Sequence, residues 1–301
     1  MARLAIVVVN YGSTALLAEN LVYTAADTPD AMVIVSDNLS SSADASALQS
    51  LAAAHDWTVV TNGSNVGFGA AVNAGIRRAI DGGAEEYLVL NPDARVGGAS
   101  VERLRAAVRK DRRAVAAPVI RTSTGAVWFD GADLYLEDGE TRASRQRAAY
   151  PGAERVPWIS GACMLITREV FEMTNGFAPE YFLYWEDVDF SRRASDAGAT
   201  LVVVPDAIAV HDAGGTQDAT GSRGKSRLYY YYNVRNRLLF AAQHLDDAGI
   251  RRWIVATRRV SWRILMRGGR RQLLTDPGVL WATWCGARAG LRTARAALRS
   301  R

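Results

Sequence analysis

Only two cysteines, Cys163 and Cys285, occur in 301 residues, and they lie far apart. No zinc spacing can be drawn from them and no disulfide framework is implied; such usage suits a reducing cytoplasm. Lysine is almost missing, with Lys110 and Lys225 the sole examples, so nearly all positive charge is arginine, which we ascribe to genome composition. No uninterrupted apolar run approaches the roughly 20 residues that a membrane-spanning helix needs. The apolar stretch through Ile6 to Val9 stops at Asn10, too short for a signal peptide and suited to a first strand. A complete dinucleotide fingerprint is lacking too. Gly67 and Gly69 supply its first two glycines, but Val72 stands where the third Gly or Ala belongs, which argues against a nicotinamide cofactor. Acids are nearly absent from the last 52 residues, where 13 Arg face one Asp, Asp276, for a charge of +12. The net charge of the whole chain is +5, so the preceding 249 residues carry −7. A mildly acidic body with a strongly basic tail calls for an anionic partner at that tail.

What is present is a soluble globular composition, 49% hydrophobic and 22% charged. Apolar runs predict strands at Leu4–Val9, Met32–Ser36, Trp57–Thr61, Glu86–Leu90, Ala114–Ile120 and Leu201–Val204. Helices are expected from Ser13 or Thr14 through Leu21, from Ser40–Ser42 through Ala54, and over Ala70–Ile80. This strand and helix alternation predicts an α/β fold with a mostly parallel, doubly wound sheet. Asp130–Arg147 reads as a polar excursion with a hairpin, Pro205-Asp206 as a turn, and Ala213–Lys225 as a loop over the site. Residues 1–225 are taken as one catalytic domain and 226–301 as a basic helical region.

Several residues are placed for chemistry. The run Glu86–Leu90 breaks at Asn91-Pro92 and delivers Asp93 to a strand end, where open α/β sheets bind ligands. A carboxylate there suits either a divalent cation on a diphosphate or a turn. Asp37, at a second strand end, serves a base or ribose, or caps the approach to a helix. The loop 62–69 feeds a helix N-terminus, which suits phosphate or ribose. Gly161 permits close backbone approach before the strand beginning near Cys163, and Cys163 reads as buried rather than reactive. Glu186, Asp187 and Asp189 crowd the first turn of a helix beside Trp185; they answer the helix dipole, or one of them is a general base next to a stacking surface. His211 follows a strand and is a second candidate metal ligand. Arg235 and Arg237 contact phosphate or face solvent.

In the tail, Arg288, Arg292, Arg295 and Arg299 form one stripe and Leu280, Trp284, Leu291 and Leu298 another. Adjacent apolar and Arg stripes with Trp suit a helix in a lipid interface. Aromatics apart from the basic stripe argue against nucleic acid; a helix packed on the body is the third reading.

The ordered set Val8-Val9-Asn10-Tyr11, Asp37-Asn38, Gly63–Gly69 with Asn73, Asn91-Pro92-Asp93, Ser160-Gly161-Ala162, Trp185-Glu186-Asp187 and His211 resembles family 2 glycosyltransferases, particularly bacterial rhamnosyltransferase-like and galactofuranosyltransferase-like members. The resemblance covers roughly the first three quarters of the chain. It implies a GT-A fold, a nucleoside diphosphate sugar donor and inversion at the anomeric carbon. Asn10, Tyr11, Asp37, Asn65, Gly67 and Asn91 would line the nucleotide. Asp93 would ligate Mg2+ or Mn2+, with His211 as a further ligand. Asp187 would deprotonate the acceptor hydroxyl, and Trp185, with Glu186, Ser160 and Gly161, would shape the sugar and acceptor site. One departure is Asn91-Pro92-Asp93 where many relatives have Asp-x-Asp. The acceptor would be a lipid-linked or cell-wall glycan, and the enzyme cytoplasmic, peripheral on the inner face of the plasma membrane. Rival readings are a sugar nucleotidyltransferase, for which Asn10-Tyr11-Gly12-Ser13 lacks a basic Gly-rich loop, and a catalytically silent sugar- or nucleotide-binding subunit.

Overall fold

The computed structural model describes residues 2–211 and 224–301; residues 213–223 of the loop expected over the site lie outside them. Its strands are Leu4–Asn10 (β1), Met32–Asp37 (β2), Thr58–Thr61 (β3), Glu86–Leu90 (β4), Ala94–Val96 (β5) and Ala114–Arg121 (β6). They continue with Val127–Phe129 (β7), Ala132–Tyr135 (β8), Glu140–Ala143 (β9), Arg155–Trp158 (β10), Cys163–Thr167 (β11) and Thr200–His211 (β12). The main sheet runs β3-β2-β1-β4-β11-β6-β12-β5, with β7 paired to β6, and β10-β8-β9 form a second, smaller sheet. Every residue of β1, β4 and β11 is buried, as strands covered on both faces must be, and their sequences are accordingly apolar except at one end each, Asn10, Glu86 and Thr167.

β1 pairs in parallel with β2 and β4, so three strands finish on one edge, at Asn10, Asp37 and Leu90. β11 enters antiparallel between β4 and β6. The helix Ser42–Ala54 (α1) connects β2 to its parallel neighbour β3, and Phe68–Asp81 (α2) crosses from β3 past β2 and β1 to β4. Ser41 caps α1 by accepting the Asp44 N–H at 3.2 Å. The expected turn at Pro205-Asp206 is replaced by a bulge. The register of β12 on β6 slips between Val204 and Ile208, which excuses the missing N–H of Pro205 and lets the strand run on to His211.

Gly98–Lys110 (α3), Arg168–Thr174 (α4) and Glu186–Asp196 (α5) complete the body. The tail is Arg227–His244 (α6), Asp247–Met266 (α7), Arg270–Thr275 (α8) and Gly278–Ser300 (α9). α9 lies along α6 in the same direction. Gly278 sits against Arg227, Gly286 against the backbone of Tyr231 and Gly290 against Leu238, and Arg301 donates to the carbonyls of Ala242 and Leu245. The buried face of α9 is therefore Val279, Thr283, Gly286, Gly290 and Ala294, small residues that bring the two helices close. The expected apolar stripe divides accordingly. Leu291 and Leu298 pack partly inward, whereas Leu280 and Trp284 remain 45% and 49% exposed.

Arg237 also departs from expectation, since it reaches neither phosphate nor solvent. It is buried, donates through Nε to the Asp138 carbonyl at 2.8 Å and stands 4.9 Å from the ring centroid of Trp253. Sequence spacing could not show this, because the partners come from the β8–β9 turn and from α7. Arg235 meets the Glu180 carbonyl at 2.8 Å.

Candidate active site

The carboxyl edge of the parallel strands gathers most of the expected residues. Asn10 and Asp37 are buried side by side. The Asn10 amide donates to Asp37 Oδ1 at 3.0 Å, to Ser40 Oγ at 3.0 Å and to Asp44 Oδ2 at 3.1 Å, while its carbonyl accepts the Ser13 N–H at 3.0 Å. Asn10 thus braces the edge as a hub, and Asp37 both accepts from it and orders Ser40 ahead of α1. Tyr11, 60% exposed, stands at the rim.

The next loop is tied to β2 by a pair of amides. Asn38 donates to Asn65 Oδ1 at 2.7 Å and accepts the Val66 N–H at 2.9 Å, and Asn65 Oδ1 also takes the Gly67 N–H at 3.1 Å. Gly67 then opens α2 with φ +86° and ψ 170°, a conformation confined to glycine. The first helical N–H, that of Phe68, is taken by the Phe182 carbonyl at 2.9 Å. The loop 62–67 is thus stapled to the segment that leads into α5.

Asp93 is buried beyond the Asn91-Pro92 turn, closed by Ala94 N–H donating to the Asn91 carbonyl at 3.1 Å. Strand β5 follows at once and pairs antiparallel with the end of β12, opposing Ala94 to His211. Register therefore brings together an Asp and a His 118 residues apart, with His211 Nε2 and Asp93 Oδ1 at 3.0 Å. The other ring nitrogen, Nδ1, is buried without a partner, and Trp128 abuts the imidazole edge-on with centroids 4.5 Å apart. A carboxylate and an imidazole at this spacing fit a cation that draws its remaining ligands from a diphosphate. Among the described residues no cluster of three or more His, Cys, Asp or Glu could hold an ion unaided.

The second carboxylate arrives from α5. Asp187 Oδ2 accepts the Gly161 N–H at 3.1 Å and Oδ1 the Val188 N–H at 2.8 Å. Ala162, next to Gly161, accepts the Asn91 N–H at 2.9 Å. Asp93 and Asp187 are therefore attached to the same corner of the sheet through a short run of backbone contacts. Ser160 is buried, its hydroxyl facing the Ala162 N–H at 3.3 Å.

The turn into α5 is strained. Tyr184 and Trp185 both have positive φ, 62° and 74°, at a cost of about 1–3 kcal/mol each. Asn236 of α6 holds them by donating to the carbonyls of Leu183 at 3.0 Å and Tyr184 at 2.7 Å. Trp185, expected beside the acceptor, is buried with its ring against Phe240 at 5.7 Å and Trp253 at 6.3 Å; the left-handed turn directs it into the tail. Asp189, one turn along, faces His244 Nε2 at 2.7 Å and accepts from Arg193 Nε at 2.8 Å. It fastens α5 rather than lining the cleft.

Burial raises the Asp187 carboxyl to about 6, opposed by the Gly161 and Val188 N–H groups. Burial, then the neighbouring Asp187 charge, holds Glu186 well above the usual carboxylate range, and one Glu186 oxygen has no partner. A general base works ionised, so turnover should rise with pH through about 6 and then level. Below that value the rate should fall about tenfold per pH unit. A pH–rate profile at saturating donor tests this; a flat profile down to pH ~5 would exclude Asp187 as the base.

Sequence reasoning passed over two participants, Trp128 and Asp44, and gave a third, Asn73, no role. Trp128 sits in a short strand with no local signal, and only the fold brings it to His211. Asp44 reaches Asn10 and the Thr14 N–H across the edge. Asn73 clamps both the N–H and the carbonyl of Phe177; its place four residues past Gly69 was the available clue.

A mostly parallel sheet with loops gathered on its carboxyl edge, an inserted antiparallel strand and a helix-borne acid is the GT-A fold. The chain belongs to glycosyltransferase family 2: the family model described as "Glycosyltransferase like family 2" matches residues 2–237. It is 32% identical over 177 residues to the N-acetylglucosaminyl-diphospho-decaprenol L-rhamnosyltransferase of Mycobacterium tuberculosis, covering 51% of this chain and 58% of that one. It is 27% identical over 247 residues to a low-salt glycan biosynthesis hexosyltransferase of Haloferax volcanii, covering 78% of this chain and 74% of the other. Among solved structures, a mannosyltransferase from Pyrobaculum calidifontis in complex with GDP-Man and Mn2+ matches with a TM-score of 0.56 at 15% identity, over 98% of this chain and 86% of that one. No helix among the described residues is long and apolar enough to cross a membrane.

Proposed function

We propose that the chain is an inverting glycosyltransferase that moves a sugar from a nucleoside diphosphate donor to a lipid-linked or cell-wall glycan. Rhamnose from dTDP-rhamnose is the first candidate and galactofuranose from UDP the second. The supporting observation is Asp187, a half-buried carboxylate oriented by two backbone N–H groups and attached to the same corner of the sheet as Asp93. The similarity to a rhamnosyltransferase acting on a decaprenol-linked sugar supports the donor and the acceptor class.

In this mechanism Asp187 takes the proton from the acceptor hydroxyl as that oxygen attacks the anomeric carbon, and the diphosphate leaves from the opposite face. The raised carboxyl makes Asp187 a stronger base than an exposed Asp. The loop 62–69 ahead of α2 would border the diphosphate, although the Phe68 N–H is already taken by Phe182. Asp93 and His211 would hold Mg2+ or Mn2+, which supplies further charge stabilisation when bound. Glu186, its carboxyl held well above the usual range by burial, has one oxygen without a partner among the described residues that would serve a sugar hydroxyl, with Ser160 and Gly161 in the same acceptor site. The chain acts at an anionic membrane surface, reached through its basic tail, on the cytoplasmic side.

Thermal unfolding in the presence of a panel of nucleotide sugars, with and without Mn2+, tests the proposal. Stabilisation by dTDP-rhamnose that needs the cation, and that is lost in Asp93→Ala and His211→Ala, is expected. Transfer that persists undiminished in excess EDTA would remove the cation from Asp93 and His211.

A further inference from the structure

We infer that the chain seats itself on an anionic bilayer through the aromatic end of α9, with Trp281 and Trp284 entering the lipid interface and the arginines behind them lying on the headgroups. The inference rests on the membrane attachment proposed above, and it adds which side chains touch lipid and how the cleft is then turned.

Exposed apolar side chains are frequent in one stretch of the chain. Of 13 exposed large hydrophobic side chains among the described residues, six fall between Val255 and Trp284. Leu274 is 86% exposed and Trp281 65%, and an exposed pair of indoles such as Trp281 with Trp284 marks a contact. The two indoles are stacked, with centroids 4.8 Å apart, and the Arg288 guanidinium lies 5.5 Å from the Trp284 ring centroid. Because the small side chains of α9 are turned toward α6, its outward face reads Trp281, Trp284, Arg288, Arg292, Arg295 and Arg299, at spacings of three and four. All six are exposed, and among the described residues none of these four arginines pairs with an acid. The acids near the two ends of α9 are otherwise engaged, Asp276 by Arg227 at 2.6 Å and Asp247 by Arg301 at 3.6 Å. Unpaired arginines beside indoles complement an anionic interface: the rings settle at headgroup depth and the long stems keep their charges in water.

The direction of the helices fixes the orientation. α6 and α9 run the same way, so the indole end of α9 lies at the amino end of α6. There Tyr229 meets Tyr184 edge-on at 5.2 Å and Tyr232 stacks on Phe182 at 5.3 Å, the residues that border Gly67 and lead to Asp187. A bilayer held by Trp281 and Trp284 therefore faces the same end of the molecule as the approach to the base. Single-stranded nucleic acid is the rival occupant. Stacking bases needs free ring faces alternating with charge; here the rings are spent on each other, and Leu274 and Leu280 add aliphatic surface that bases do not use.

The test is co-sedimentation of the full chain with vesicles of phosphatidylcholine alone or of phosphatidylcholine and phosphatidylglycerol in equal parts. Binding to the mixed vesicles is expected, and the pair Trp281→Ala with Trp284→Ala should weaken it about tenfold although no charge has changed. The pair Arg292→Gln with Arg295→Gln should weaken it several-fold and flatten its salt dependence. Donor-induced thermal stabilisation should be the same in all three proteins, which separates lost binding from lost folding. Equal binding by the Trp variant would overturn the inference while leaving membrane attachment standing. Failure of the parent chain on both vesicles would remove the attachment itself, and release from mixed vesicles by a single-stranded oligonucleotide would assign the surface to nucleic acid.

Discussion

Asp187→Asn should lower transfer by about 10²–10⁴-fold, the range for loss of a general base, while donor binding stays within about twofold. The amide fills the same volume and one of its atoms still accepts a backbone N–H. Its NH2 group must face either Gly161 or Val188, at a cost of about 1 kcal/mol. That cost is offset because the amide carries no charge to bury beside Glu186. The substitution thus separates chemistry from architecture. The measurement is steady-state transfer alongside donor titration by calorimetry. Unchanged turnover would mean that another group takes the proton, and binding lost together with turnover would mean that Asp187 shapes the donor pocket instead.

The second large effect is expected at Gly67→Ala. The substituted residue must hold φ +86° and ψ 170°, and its new Cβ would land on the Phe182 carbonyl. That oxygen accepts the Phe68 N–H, so the contact stapling the loop 62–67 to the approach of α5 cannot survive as it stands. Backbone strain alone costs about 1–3 kcal/mol, and separation of the two loops should weaken donor binding by more than about tenfold. Gly63→Ala is the control: its Cβ meets nothing within 4 Å, so it should fold and bind like the parent. Urea unfolding and donor titration of the two variants read both effects, and equal behaviour would show that the staple is dispensable.

The parts legible in the sequence were those that local pattern alone decides. β1, β4 and β11 are apolar runs because both their faces are covered, and Asn91-Pro92 ends β4 wherever the chain goes afterwards. The acids of α5 stand in its first turn, as the helix dipole favours. What escaped depends on pairing across distance. Pro205 looked like a break, but a bulge in β12 absorbs it and carries His211 to Asp93. Trp284 falls by spacing into one apolar stripe with Leu291 and Leu298, yet Gly286 and Gly290 turn another side of the helix inward, so the stripe divides and the indole stays exposed. Arg237 shows the same limit, its carbonyl partner lying 99 residues away. Trp185 has the composition of a sugar platform, and only its left-handed backbone reveals that it points elsewhere.

That backbone has a wider consequence. Tyr184 and Trp185 form a cocked elbow, and the hand that keeps it bent belongs to Asn236, outside the sheet on which the substrate loops are mounted. Alignment of Asp187 is therefore set remotely. A chain cut before Arg227 would keep Asp93, Asp187 and His211 and still present the proposed base on a slack joint, whereas variation at Asn236 could retune turnover from outside the sheet.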